Sequence, residues 1–287
     1  MSKIAILTDS SCDIPQELAE KYGIDIMGFH ILLDDEDIVE REKYTPEEFY
    51  DKMRAARGIP STAAIQFCEK YCQYVDEGYT DVIHVPINRS GSSTYNNAVM
   101  AQGMLREERP EHHLNIHLLD PHTYSMVFGW YLCEMARKLQ NGAELRHVIS
   151  EFETQMNKME IILGPYSLKQ MKKSGRISAA AAVMGELMGI RPIITLIDGK
   201  TRVESKVRGD DKVIPAMIDL CKKRTEGVED FDYMIGHTSI PQAAELEKAC
   251  RKAFGKAPLT TFNLGGVVSA NTGPDTLALV YVGKARD

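Results

Sequence analysis

The sequence predicts an α/β protein of two domains, the first on a mostly parallel sheet and the second on a mixed one. Three observations point there. Short apolar runs rich in β-branched residues alternate with amphipathic helical stretches through the first half, the pattern of a parallel sheet covered on both faces. Near residue 158 the pattern changes, and an Asp-Gly turn then joins two extended segments. The length, 287 residues, suits two domains.

Taken in order, Lys3 to Leu7 reads as a strand with Thr8-Asp9-Ser10-Ser11 as its exit loop. Asp13 is placed to cap a helix that has Pro15 near its first turn and stops at Gly23, a position suited to a left-handed C′ residue. Ile24 to Leu33 reads as a second strand, and the highly charged Asp34 to Lys43 as an exposed excursion. Thr45-Pro46-Glu47-Glu48 opens a helix with a capping box. Thr62 stands where an N-cap belongs for a helix carrying Ile65, Cys68, Cys72 and Val75. Val82 to Ile87 is a buried strand, Asn88 to Ser93 a polar turn, and a helix begins at Thr94. Asn115 to Leu119 is a further strand with Asp120, His122, Thr123 and Ser125 in its exit loop. A helix with Met126, Trp130, Cys133 and Leu139 follows, then another over Ala143 to Lys158.

In the second half, Met159 to Leu163 is a strand and Ser167 to Lys173 a basic helix interrupted by Ser174-Gly175-Arg176-Ile177-Ser178. Ala179 to Met188 is helical and almost uncharged. Ile190 to Ile197 and Lys200 to Val207 form a hairpin around Asp198-Gly199. Asp210 to Arg224 and Gln242 to Phe254 are helices. Tyr233 to Gly236 and Leu277 to Val282 are strands, Thr260 to Leu264 is extended, and Asn271 to Asp275 is a turn.

A formal net charge of -7 argues against general nucleic-acid binding, which calls for a basic face. No window has the length of uncharged apolar sequence that a membrane span needs, and the N-terminus lacks the pattern of a signal peptide. The six cysteines are scattered. Cys68 and Cys72 share a helical spacing, which suits a metal or redox pair less well than two buried thiols. The expected protein is cytoplasmic, without metal or cofactor.

The chemistry concentrates at strand exits. In an open parallel sheet ligands bind beyond the carboxyl ends of the strands, and three exit loops here are rich in hydroxyls. The 88–94 loop offers Ser90, Ser92, Ser93 and Thr94 at a helix start, where backbone N–H groups are unpaired. An anion, carboxylate or phosphate, suits that arrangement; a plain helix cap is the alternative. Phosphate-loop and dinucleotide motifs are missing, and Ser92 has no visible base. Val183, Met184, Leu187 and the alanines before them fit either an apolar tunnel or an ordinary core helix. Arg176 fits a phosphate, a partner's acidic group or a solvated helix end. His84, inside an apolar strand, reads as a core histidine.

Several stretches together resemble the DegV family: ILTDSSCDIP at the start, Pro60-x-Thr62, the loop before Thr94-Tyr95, SGRIS at 174–178, IRPII at 190–194, Lys206-x-Arg208-Gly209 and Thr272-Gly273-Pro274. The resemblance implies a long-chain fatty acid held between two domains, 1–157 carrying the carboxylate-binding loops and 158–287 lining the acyl tunnel. It further implies presentation of the bound acid to a separate fatty acid kinase. On this basis Thr62 and Ser92 would bind the carboxylate, with Ser93, Thr94, Asn271 and Thr272 around it. Ala180, Val183, Met184 and Leu187 would line the tunnel, and Arg176 would face the kinase. The chain departs from the family pattern at Ala63 and Ala64, at Ser93 where glycine is usual, and at Asn271 where histidine is usual. The expectation is a lipid-binding protein, not an enzyme by itself, with no stable membrane insertion. Two alternatives stay open: an enzyme or sensor that takes a small phosphorylated metabolite at the same loops, and a module that binds a partner protein without lipid.

Overall fold

The computed structural model describes residues 3–58, 60–63, 65–175 and 189–285. The expected apolar helix, with Ala180, Val183, Met184 and Leu187, and the turn at Arg176 lie outside the described residues. Strands β1 (Ile4–Asp9), β2 (Ile24–Met27), β6 (Asp81–Val85) and β7 (Asn115–Leu118) form a wholly parallel sheet in the order β2-β1-β6-β7. All four therefore end at one edge. Helices α1 (Gln16–Tyr22), α3 (Cys68–Asp76), α4 (Thr94–Glu108) and α5 (Met126–Gln140) are interleaved with these strands. Gly23 closes α1 in the left-handed conformation (φ 64°), as its position predicts. Asp13 does not cap α1, which begins at Gln16 without a side-chain cap; it ends a short 3₁₀ turn at φ 53° and is drawn inward.

A second sheet has the order β10-β9-β8-β13-β11-β12, from β8 (Met159–Pro165), β9 (Ile190–Ile197), β10 (Lys200–Arg208), β11 (Tyr233–His237), β12 (Thr261–Asn263) and β13 (Thr276–Val282). Only β11 and β12 run parallel, so the sheet is mixed, as expected. Asp198 and Gly199 both have positive φ (50° and 70°), the backbone that a two-residue hairpin of this hand requires. Helices α6 (Leu145–Met156), α7 (Lys169–Ser174), α8 (Val213–Arg224) and α9 (Gln242–Phe254) complete the framework.

The two-residue period of the second sheet divides its side chains cleanly. Ile161, Leu163, Ile194, Leu196, Ala278 and Val280 join a cluster with α5 and with Ile6, Ile83 and Val85 of the parallel sheet. Ile162, Ile193, Leu277, Leu279 and Tyr281 face the other way, with α8 and α9. The first cluster therefore spans the space between the two sheets.

Three regions differ from the sequence reading. Ile24–Leu33 is not one strand: the chain breaks at Gly28, where a Cβ would press on Val39 Cγ1 at 3.0 Å. The charged excursion instead folds as a hairpin, β3 (His30–Leu33) with β4 (Glu36–Val39), turning at Asp34 with φ 52°. Ile38 supplies the buried side of this hairpin. Thr62 is not an N-cap either; Ser61–Thr62 forms β5, paired antiparallel with β3 through Ile31 and Thr62, and α3 starts later, at Cys68. The capping box at Thr45 is present, opening α2 (Pro46–Ala55). The turn expected at Asn271–Asp275 is preceded by a short helix that the sequence does not announce, α10 (Gly266–Thr272), so Asn271 and Thr272 lie in its last turn.

Candidate functional site

The loops leaving β1, β6 and β7 meet at the carboxyl edge of the parallel sheet. Asp9, fully buried, knits two of them together: one carboxylate oxygen accepts the Ser11 amide at 3.1 Å, the other the Ile87 amide at 2.7 Å. Burial nevertheless pushes its carboxyl up to about 6. Beyond Ile87, Asn88 Oδ1 accepts from Ser90 N (2.8 Å) and Ser90 Oγ (2.9 Å), an Asx turn that shapes the loop. Ser92 Oγ accepts the Thr94 amide at 3.2 Å and donates to Thr94 Oγ1 at 2.9 Å. Ser92, not Ser93, thus caps α4 with its side chain.

The tip of the β9–β10 hairpin rests on this loop. Gly199 is required there, because a Cβ would overlap Ser90 Oγ and Asn88 Nδ2. The adjacent Asp198 pairs with His122 Nδ1 at 2.7 Å, tying the tip to the loop after β7.

Beneath the tip lies a cavity of ≈ 80 Å³, room for roughly five to eight water-sized positions. That is a slot, not a vessel. Its lining includes Thr62, Ser92, Asn271 and Thr272, contributed by three separate parts of the chain. The apolar walls come from the inner face of the mixed sheet (Ile161, Leu163, Leu196, Ala278, Val280) and from Phe29, Val127, Phe262, Leu264 and Val267. Among the described residues, no Lys, Arg, His, Asp or Glu lines it.

Ser93 and Thr94 do not line the slot: Ser93 is exposed, and Thr94 is buried behind Ser92. Asn271 spends one amide N–H on the Val267 carbonyl (2.9 Å), which orients the side chain along its own helix. Residues that the sequence did not single out also line the slot, among them Tyr124, Thr201 and Phe262. Tyr124 sat within a hydroxyl-rich exit loop and was legible in principle; Thr201 carried no local signal.

Elsewhere, His84 is a core histidine as predicted, with Nδ1 2.6 Å from Tyr71 Oη and the Phe67 ring against it. Burial pushes it down to about 3, so it is neutral at ordinary pH. Cys68, Cys72 and Glu108 are the one group among the described residues whose ligand atoms, all within 4.8 Å of one another, could share a metal ion. Both thiols donate to Glu108 at 3.5 Å and burial raises both, so the cluster is satisfied by its own hydrogen bonds. No helix among the described residues is long and apolar enough to cross a membrane.

Comparison with known proteins agrees with this architecture. A family model described as "Uncharacterised protein, DegV family" matches residues 3–284. A DegV domain-containing protein of Staphylococcus aureus is 30% identical over 98% of each chain, and one of Clostridium perfringens is 29% identical over 98% of this chain and 99% of its own. Among solved structures, a stearic acid-binding protein from Eubacterium ventriosum superimposes with a TM-score of 0.88 at 23% identity over 99% of both chains. A fatty acid binding DegV family protein from Streptococcus agalactiae gives 0.85 at 25% identity, over 99% of this chain and 100% of that one. With a match that runs almost from end to end and the same α/β architecture of a parallel and a mixed sheet, the chain belongs to the DegV family.

Proposed function

We propose that this protein binds a long-chain fatty acid whose head-group end occupies the slot, its carboxylate on Thr62 and Ser92 with Asn271 and Thr272 beside them. The observation that carries the reading is the slot itself, whose lining joins apolar side chains of the mixed sheet, α5, α10 and nearby loops to neutral hydroxyl and amide groups. The solved relatives from Eubacterium ventriosum and Streptococcus agalactiae, described as binding stearic acid and fatty acid, support it. In this reading residues 1–157 supply the hydroxyl loops and 158–287 the apolar wall, with α10 reaching back to the head group. The residues 180, 183, 184 and 187 extend the wall.

Magnitudes assign the roles. A tail of about fifteen methylenes at ~0.8 kcal/mol each represents ~12 kcal/mol of gross transfer free energy, part of which is lost to ordering the chain. Hydrogen bonds from neutral donors to a charged carboxylate add ~1.5–3 kcal/mol each. The tail holds the ligand and the hydroxyls fix its head. A lining that has no cation among the described residues suits a phosphorylated metabolite poorly, since phosphate recognition usually recruits Arg or Lys. Neutral donors also leave one carboxylate oxygen free for an outside phosphoryl donor. The protein then acts as a carrier that presents the acid to a fatty acid kinase, with Arg176 on the face that meets it.

Denaturing mass spectrometry of protein expressed in bacteria is expected to release a fatty acid. After delipidation, Thr62→Ala and Ser92→Ala are each expected to weaken oleate binding about tenfold or more. Recovery of no acyl chain together with no uptake of oleate would overturn the lipid reading. For the kinase step, Arg176→Ala is expected to leave oleate binding unchanged and to slow phosphorylation of the bound acid by a fatty acid kinase; an unchanged rate rejects Arg176 as the contact.

A further inference from the structure

We propose that Glu40 is a positioning residue for the head-group end of the slot, acting from the opposite end of α10. The inference rests on the lipid reading above. Glu40 follows β4 in a stretch whose charge suggested exposure, yet it is only 8% exposed. Its Oε1 accepts the Val267 amide at 2.9 Å, and its other oxygen takes the Ser10 hydroxyl. Ser10 Oγ in turn accepts the Phe29 amide at 3.0 Å, so the carboxyl is itself held in place.

Helix α10 needs this help. A helix start exposes N–H groups that a capping side chain normally accepts, but its N-cap is Gly265, which has none. Nor can that position carry one: a Cβ at Gly265 would overlap Asp13 Oδ1 and lie 2.9 Å from Glu40 Oε1. Glu40 therefore supplies from a distant part of the chain the cap that the helix lacks. Seven residues are too few for a helix to persist in water unaided.

The effect reaches the site through one residue. Val267 gives its N–H to Glu40, receives the Asn271 side-chain amide on its carbonyl, and itself lines the slot. The far end of α10 is tied separately, by Thr276 Oγ1 on the Thr272 carbonyl at 2.9 Å. Release of Glu40 thus frees the start of the helix, Val267 and the orientation of Asn271, while Thr62 stays fixed on β5.

The test is a set of coupled substitutions read by oleate titration of delipidated protein. Glu40→Ala is expected to weaken oleate binding about tenfold. In that background Asn271→Ala is expected to add less than about a twofold further loss, whereas Thr62→Ala adds its full effect. General loosening of the fold would not single out Asn271 in this way. Glu40→Gln, which keeps an oxygen for Val267 N, is expected to restore most of the affinity. If Glu40→Ala does not fold, Ser10→Ala, which removes one anchor of the carboxyl, is expected to show the same pattern at smaller size. Fully multiplicative losses for Glu40 and Asn271, or no loss from Asn271→Ala alone in a wild type that binds oleate, overturns the inference. Wild type that takes up no oleate sinks the lipid reading and the inference with it, and is recognised because the unmodified protein fails.

Discussion

Ala278→Phe is expected to abolish uptake of a long-chain fatty acid while leaving the empty protein folded. Ala278 lies on β13 with Val280, on the face that lines the slot; Leu277, Leu279 and Tyr281 on the same strand point to the opposite cluster. Ala278 is the one alanine among the described lining residues, so a larger side chain there adds bulk at the wall of the slot. A phenyl ring grows into space that the ligand would use. Excluding about eight methylenes at ~0.8 kcal/mol each removes ~6 kcal/mol of binding free energy, more than a thousandfold in affinity. The cost to the empty fold is of a different order, ~1–3 kcal/mol where a side chain is overpacked and less where it enters a void. Thermal melts of delipidated protein with and without oleate check both parts. Wild type gains stability as the logarithm of one plus the ratio of free oleate to Kd and so melts higher with oleate, whereas Ala278→Phe melts at one temperature either way. A variant that still shifts with oleate as wild type does would place the acyl chain elsewhere.

The framework behind this prediction is legible in the sequence because it is local. Apolar β-branched runs, the Asp198-Gly199 turn and the Thr45 capping box each carry their structure within a few residues, and all are present. The features that the sequence hides depend on partners far along the chain. β4 places Ile38 among charges, so a half-buried strand looks like a solvated loop until β3 pairs with it. Thr62 sits before a helix and looks like its cap, but the pairing of Ile31 with Thr62 makes it a strand residue. Helix α10 opens on two glycines, with no capping side chain of its own, and its cap comes from Glu40, 227 residues away. The same logic applies to the site. The hydroxyl loops and the family motifs pick out Thr62, Ser92, Asn271 and Thr272, which line one slot. They also pick out Ser93 and Thr94, because sequence proximity does not say which hydroxyl of a helix start turns inward. The apolar wall is invisible as a site because its residues obey the ordinary alternation of a buried strand.

Stability of the ligand-free protein is expected to fall as pH rises from 6 to 8. Burial raises three carboxyls in one region: Asp9 to about 6, Glu40 to about 7, and Asp13 well above the ordinary range, with the neighbouring Glu40 charge adding to the shift of Asp13. Arg41, which donates to the Ile14 carbonyl at 2.5 Å, is the cation that offsets Asp13 and Glu40, and Tyr50 lies close by. A carboxyl whose value is raised by folding holds its proton in the native state after the unfolded chain has released it. The unfolded chain then binds fewer protons, so stability declines with pH from the unfolded value near 4 until the folded value is passed. For Glu40 alone that amounts to ~1 kcal/mol between pH 6 and 8, and Asp13 acts in the same direction. His84 works in the opposite direction, because burial keeps it neutral while the unfolded chain protonates below about 6.5. His237, also lowered by burial, acts with His84, and two imidazoles against three carboxyls reduce the slope at the acidic end without reversing it. Urea denaturation of delipidated protein is therefore expected to show a higher midpoint at pH 6 than at pH 8, and Glu40→Gln, which cannot ionise, a smaller difference between the two. A midpoint that is flat or rises toward pH 8 would mean that these carboxyls are already charged in the folded protein and are stabilised as anions by Arg41 and the surrounding amides and hydroxyls.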